Sequence, residues 1–361
     1  MSAPLRYGVI GTGMMGREHI QNLRALEGVA VAALCDPDEH SLQQATSLLE
    51  DGVPCFRDHR ALLDADVCDA LVVATPNMTH AGILLDIAPR GLPVLVEKPL
   101  CTTVADCRRV LEAHRSGGML WVGLEYRFIP AIAALVEKVA SGAIGAVRML
   151  AIREHRFPFL PKVGNWNRFN RNTGGTLVEK CCHFFDLMSL ITGSRPLRVM
   201  ASGAQDLNHL EERYQGERPD ILDNAFVIVD FESGARGMLD LCMFAEATHN
   251  QEELSVVGDL GKLEAFVPAS QLRVGLRATH RIGAVEEIPV EASEAAYQGF
   301  HHGSSFVEHL RFRDALRAGR GAEVGAEAGL WSVAVGVAAQ RSISEARTVT
   351  LAEVLEEEDA G

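Results

Sequence analysis

The 361-residue chain has no run approaching the roughly 20 apolar residues needed to cross a bilayer. Its start, Met1 to Tyr7, has no charged-then-apolar leader pattern, so a cytoplasmic location is expected. It is short of positive charge: 34 Lys and Arg stand against 48 Asp and Glu, a net charge of -14. That deficit argues against a nucleic-acid partner, whose phosphates select basic surfaces. The eight cysteines (35, 55, 68, 101, 107, 181, 182 and 242) form no CxxC pair, so neither a zinc site nor a disulfide framework is indicated, and no metal is expected. The neighbours Cys181 and Cys182 read as small apolar packing residues on a helix.

What is present is a dinucleotide site. A short apolar strand, Arg6 to Ile10, runs into Gly11-Thr12-Gly13-Met14-Met15-Gly16, and a helix follows from Arg17 to Leu26. A second strand, Val29 to Cys35, ends in Asp36, twenty residues beyond Gly16. A lone GxGxxG is weak evidence, but strand, glycine loop, helix and acid in this order are strong. The glycines allow a tight turn, a close backbone approach to a pyrophosphate and close helix packing. Unpaired N–H groups at the helix start face the phosphate charge. Asp36 suits the adenosine ribose hydroxyls and repels a 2′-phosphate, and no Arg follows it, so NAD is expected over NADP.

Further buried strands end in two more motifs: Ala70 to Ala74 runs into Thr75-Pro76-Asn77, and Val94 to Val96 into Glu97-Lys98-Pro99. His80 opens a helix to Ile87, one turn past the first motif. Ligands of open parallel sheets bind outside the carboxyl ends of the strands, where both motifs fall.

Together with a later Gly174-Gly175…His183…Asp186 segment, these motifs resemble the Gfo/Idh/MocA family of sugar and cyclitol dehydrogenases. The resemblance covers essentially the whole chain. It implies residues 1–124 as an α/β Rossmann domain with a doubly wound parallel sheet. Residues 125–361 become an α+β domain whose large, mostly antiparallel sheet has one open face, and the last helix is free to pack back on the first domain. Strands are expected at 147–156, 225–231, 236–244, 253–257 and 262–267. The family associates through that open face, so a dimer or tetramer is expected.

The resemblance implies a cofactor site of Gly11, Thr12, Gly13, Met14, Met15, Gly16, Asp36, Thr75, Pro76, Asn77, His80, Glu97, Lys98 and Glu125. It makes Lys98, at the end of the fourth Rossmann strand, a catalytic lysine beside the nicotinamide, and His183 an acid/base or substrate-polarising residue. Their chemistry agrees: Pro99 keeps Lys98 out of the helical region, and an ammonium there stabilises a developing oxyanion. Imidazole, with an intrinsic pKa near 6.5, suits proton exchange with an alcohol. Glu179, His183 and Asp186 are spaced i, i+4 and i+7, one face of a continuous helix.

The family usually carries Asp where Glu179 stands. Glu179 is therefore open to two roles: catalysis or substrate binding, or capping, because Thr176-x-x-Glu179 has the form of a capping box. Lys180 is equally open between a solvated or structural role and an active one, and Asp186 between orienting substrate and buttressing the helix.

Residues 153–171 hold Arg153, Arg156, Lys162, Arg168 and Arg171 against the single acid Glu154. Such a loop could bind an anionic substrate group through Arg forks, or could pair with acids elsewhere. It also holds His155, Asn165 and Trp166; His155 and Asn165 are candidate substrate ligands, and Trp166 suits stacking on a sugar or the nicotinamide. Tyr126, Lys162 and Arg168 join the substrate list. Of His301-His302 one is expected to close the pocket, with His302 taken as the ligand, or the pair to lie in a surface loop. The last helix, Ala326 to Ser344, reads as buried packing, and the tail Leu355-Glu356-Glu357-Glu358-Asp359 as a frayed end.

Two activities share these residues. One is NAD-dependent oxidation of a secondary hydroxyl of a sugar, sugar acid or cyclitol. The other is a redox-neutral glycosidase that oxidises C3 transiently, eliminates the aglycone, adds water and re-reduces, here with an anionic glycoside as substrate.

Overall fold

The computed structural model describes residues 3–50, 52–291 and 295–356. Met1 and the tail residues Glu357, Glu358 and Asp359 lie outside them.

Six strands form the first sheet: β1 (Leu5–Ile10), β2 (Val29–Cys35), β3 (Cys55–Phe56), β4 (Ala70–Val73), β5 (Val94–Glu97) and β6 (Leu120–Gly123). All pair in parallel, in the order β3-β2-β1-β4-β5-β6. Strands β4, β5 and β6 are buried at every residue, as expected of apolar runs covered on both faces by crossover helices. The order reverses between β1 and β4, which opens a crevice at their carboxyl ends. Lys98 follows the fifth strand, not the fourth: the two-residue β3 pairs at the sheet edge and is too short to show a hydrophobic period.

The second sheet has nine strands: β7 (Val147–His155), β8 (Pro196–Ala204), β9 (Asn224–Phe231), β10 (Arg236–Cys242), β11 (Glu252–Gly258), β12 (Gly261–Val267), β13 (Gln271–Leu276), β14 (Glu286–Pro289) and β15 (Val349–Thr350). Their order is β14-β13-β12-β11-β7-β10-β9-β8-β15, antiparallel except for the β7–β10 pair. Burial alternates strictly along β11, and closely along β12 and β9, so one face packs on helices and the other stays open. On the open face Met200, Ile228 and Met238 are cross-strand neighbours, each about 40% exposed, and Phe226 is 61% exposed.

The helix Ala326–Glu345 buries Val333, Ala334, Val335, Gly336, Ala338 and Ala339, and it packs on both domains. Just before it, Val122 N–H donates to Val324 O at 2.9 Å, and Trp121 forms a bridge with Gly325, so the C-terminal segment extends the edge of the first sheet. Among the described residues no helix is long and apolar enough to cross a membrane.

Candidate active site

The glycine loop fits a pyrophosphate. A Cβ built on Gly13 meets nothing within 4 Å, so the backbone there lies open to a ligand. A Cβ on Gly16 would stand 2.0 Å from Gly11 O, so the helix Met14–Ala25 rests directly on the strand end. Met14 and Met15 are half-buried in its first turn. Asp36 Oδ2 accepts from Thr12 N (2.7 Å) and Thr12 Oγ1 (3.2 Å), and Oδ1 accepts from Asp38 N (2.9 Å). The carboxylate is thus held at the loop's rim as a fixed negative charge.

Around the second motif, Thr79 Oγ1 donates to Thr75 Oγ1 at 2.7 Å, Pro76 is half-buried, and Asn77 Nδ2 reaches Thr173 O at 3.4 Å. His80 is a correction. It is fully buried with Nδ1 at 2.8 Å from Pro99 O and Nε2 at 3.0 Å from Thr75 O, so neither nitrogen faces a cofactor. It staples the Thr75 loop to the Pro99 loop instead, and burial holds its pKa below the ordinary value.

Lys98 leaves the end of β5 and donates from Nζ to the main-chain carbonyl of Glu179 at 3.1 Å. That contact coincides with a break in the expected helix. A single turn, Thr176–Glu179, ends at Lys180, and a new helix begins at Cys182 and runs to Thr192. The Glu179 carbonyl receives Lys98 Nζ and Cys182 Sγ (3.6 Å), so it serves the lysine rather than a continuous ladder. Glu179, His183 and Asp186 therefore do not share one helix face. The capping box is also absent: Gly175 is the N-cap, Thr176 Oγ1 donates to Leu222 O at 2.6 Å, and Glu179 Oε2 is buried without a hydrogen-bond partner. The glycine pair is required by left-handed backbone (φ 78° and 88°) and by crowding from Thr102 O and Gln340 Oε1.

His183 is buried, and its ring stacks on that of Tyr126, centroids 4.1 Å apart. Its Nε2 lies 3.8 Å from Glu125 Oε1, and its Nδ1 is buried without a partner. Burial, then the charges of Lys98 and Lys180, push the imidazole well below its ordinary pKa, so it is neutral. Burial pulls the Lys98 ammonium down, but Cys182, Glu97, Glu179 and Glu125 outweigh it and hold the pKa above the usual lysine value. Glu125, buried beside Glu97, is pushed up to about 8 and carries its proton at neutral pH. Burial also raises Glu179, against the pull of Lys98, Lys162, Arg168 and Arg156.

His301, not His302, joins this group. Its Nδ1 lies 3.5 Å from Glu125 Oε1, whereas His302 is exposed, with left-handed φ of 54°. His155 is likewise corrected: it lies on the open-face side of β7, against Asp240 at 3.2 Å. Tyr126 is no free substrate ligand either, since Lys180 Nζ donates to its hydroxyl (2.7 Å), which donates to Glu252 (3.3 Å). Lys180 is buried and ion-paired to Glu154 at 2.9 Å, so it is neither solvated nor on the surface. Asp186 accepts from Arg127 Nε (2.6 Å) and Nη2, and so buttresses the helix.

The basic loop divides. Arg153 pairs with Glu253 (2.6 Å) and Arg171 with Glu217 (2.5 Å), both away from the cluster. Arg168 is buried, bonded to Glu212 at 3.0 Å, with Nη1 unpartnered. The Lys162 ammonium has no hydrogen-bond or ion-pair partner among the described residues; burial lowers its pKa, and Glu179 opposes this. Asn165 sits in a tight turn, its N–H on Lys162 O (2.8 Å) and φ of 53°, and Trp166 is half-buried with its carbonyl on Asn172 Nδ2 (2.9 Å). Neither side chain is brought to the cluster by a contact. Among the described residues no group of three His, Cys, Asp or Glu is placed to hold a metal ion.

Residues 5–124 match the NAD-binding Rossmann fold of the Gfo/Idh/MocA oxidoreductases, and residues 136–351 match that family's C-terminal alpha/beta domain. The chain belongs to the Gfo/Idh/MocA family. It is 28% identical over 354 residues to a myo-inositol 2-dehydrogenase of Thermotoga maritima, covering 97% of this chain and 100% of the relative. An inositol 2-dehydrogenase of Saccharopolyspora erythraea is 32% identical over 270 residues, 74% of each chain. A levoglucosan dehydrogenase in complex with NADH and levoglucosan superposes with a TM-score of 0.82 at 19% identity, over 96% of this chain and 99% of that one. At that identity the likeness shows the fold.

The sequence left Lys180 and the choice between His301 and His302 open, and did not point to a buried pair, His19 and His309. The signal for the pair was available: His309 shares a helical face with Glu308, Phe312 and Ala315, all buried.

Proposed function

We propose that this Gfo/Idh/MocA member is an NAD-dependent dehydrogenase that oxidises a secondary hydroxyl of a sugar, sugar acid or cyclitol. One observation carries the reading: the Lys98 ammonium is anchored four residues before His183, and its charge acts on that imidazole. When bound, the nicotinamide supplies the hydride acceptor. Lys98 donates a hydrogen bond to the reacting oxygen and stabilises the charge that develops on it. The unpartnered Nδ1 of neutral His183 takes the hydroxyl proton as the carbinol hydride departs. Asp36, a fixed anion at the loop rim, supports NAD over NADP. Arg168 Nη1 and Lys162 Nζ, both without partners, support a substrate bearing an acid group.

The domain division we favour is 1–124 and 125–361. The exposed apolar row on the open sheet face supports a homo-oligomer. The decisive experiment follows NADH absorbance with NAD and a panel of myo-inositol, levoglucosan, neutral hexoses and hexuronates. Stoichiometric NADH from a cyclitol or sugar supports the reading, and none from any member overturns it.

The glycosidase alternative has its own support. Lys180, Tyr126 and His301 bring more proton-carrying groups to the site than hydride transfer requires. Release of a chromogenic aglycone without NADH accumulation would favour it.

A further inference from the structure

His19 lies in the helix Met14–Ala25, whose first turn faces the cofactor loop, and it is 1% exposed. Its Nε2 is 2.9 Å from Glu97 Oε1, and its Nδ1 is 2.8 Å from Nε2 of His309 in the helix Ser304–Arg317. His309 is fully buried, and its Nδ1 has no hydrogen-bond partner. The other oxygen of Glu97 accepts the main-chain N–H of Lys98 at 3.1 Å.

One placement of protons makes both histidine contacts without leaving a buried N–H unbonded. Glu97 is ionised; although burial opposes this, the His19 hydrogen bond, with the Lys98 charge beside it, holds its pKa at about 2. A carboxylate only accepts, so His19 Nε2 carries hydrogen. In the tautomer that carries hydrogen on Nε2 alone, His19 Nδ1 is bare and accepts from His309 Nε2–H. His309 is left with a bare Nδ1, the nitrogen that has no partner. Burial keeps His309 well below its ordinary pKa, and neutral. The alternative, a buried N–H with nothing to bond, is the costlier arrangement.

The same helix reaches a second part of the site. Glu18, next to His19, accepts from Tyr297 Oη (3.1 Å) and Phe300 N (3.0 Å), fixing the segment that leads into His301. The helix thus reaches Glu97 through His19 and the segment before His301 through Glu18.

We propose that His309 and His19 form a two-histidine positioning relay that orients the Glu97 carboxylate and, through it, the direction of Lys98. The relay rests on the dehydrogenase reading for its effect on rate, but its proton arrangement does not. Neither histidine touches substrate or cofactor in this scheme; both are positioning residues. Glu97 is also faced by Lys98, His301, Glu125 and Glu308, so the readouts must separate the relay from these charges.

Two measurements test it. The first uses 15N-histidine NMR of the wild-type protein, with signals assigned by their loss in His19→Gln and His309→Gln. Two neutral imidazoles, each protonated on Nε2, are expected; a cationic His19 or an Nδ1-protonated His309 overturns the relay whatever the activity. The second compares His19→Leu with His19→Gln, whose amide can still donate to Glu97. With NADH binding measured by fluorescence and found unchanged, His19→Leu should lower kcat by about tenfold or more and move the basic limb of the pH profile to lower pH. His19→Gln should recover most of the rate. A folded His19→Leu variant with wild-type kcat and pH profile sinks the proposal. A wild type that reduces no NAD with any polyol instead sinks the dehydrogenase reading, and the NMR result still decides the relay.

Discussion

Lys98 Nζ hydrogen-bonds the main-chain carbonyl of Glu179 at 3.1 Å, and the Glu179 carboxylate keeps one oxygen buried and unpartnered. The lysine is therefore aimed by backbone, and the carboxylate is left for something else. Replacing Lys98 by Ala should lower kcat by about 10²- to 10⁴-fold while leaving NADH affinity nearly unchanged. Steady-state kinetics beside NADH fluorescence titration measures both, and unaltered turnover would end the catalytic assignment.

Glu179→Gln separates stability from chemistry. Burial raises this acid, so its ionised form is costly, and an uncharged isostere should give a melting temperature equal to or above wild type. Its kcat/KM should nevertheless fall about tenfold or more if the unpartnered oxygen serves the substrate. A variant with lower stability and normal kinetics would show that Glu179 is structural.

The proposed preference for NAD makes Asp36 a test of cofactor choice by charge. Asp36→Ala should lose NAD affinity, by about 1–3 kcal/mol for a charged hydrogen bond, and gain relative affinity for NADP. Competition between the two cofactors in one titration reads the ratio directly; an unchanged ratio contradicts the assignment.

Glu252 makes stability depend on pH. Burial and Glu154 push it up to about 8, so the folded protein keeps a proton that the unfolded chain releases near 4.5. Between those values the folded state binds more protons, so this group's contribution to stability is present below 4.5 and is lost as pH rises toward 8. Glu125 acts in the same direction. Buried His301, lowered to about 3, acts oppositely and only below about 6.5, where the unfolded imidazole charges. In the window from pH 6.5 to 8, denaturant melts of Glu252→Gln should show a slope flatter by about 1.4 kcal/mol per pH unit. Parallel slopes would mean that Glu252 is ionised in the folded state.

The open sheet face should carry the assembly contact. Phe226 is 61% exposed beside Ile228 and Met238, and Phe226→Glu puts a charge into the apolar row. Light scattering should show wild type as a dimer or tetramer and the variant as smaller species with intact NADH binding. A wild-type monomer would refute this surface as an interface.

The sequence alone determined the Rossmann half and the motifs that end its strands. Strand, glycine loop, helix and acid are local, and buried parallel strands write themselves as apolar runs ending in Thr75-Pro76-Asn77 and Glu97-Lys98-Pro99. The alternation in β9, β11 and β12 likewise fixed a one-faced antiparallel sheet. Tertiary structure decided the partners. Whether His301 or His302 enters the site turned on one left-handed residue, and whether Glu179 and His183 share a helix turned on a lysine 81 positions away taking a carbonyl. His80, His155, Tyr126 and Lys180 have the chemistry of ligands, but each is bound by groups distant in sequence. Spacing gives a side chain's direction along its own element, whereas its hydrogen-bond partner and its protonation depend on what the fold buries beside it.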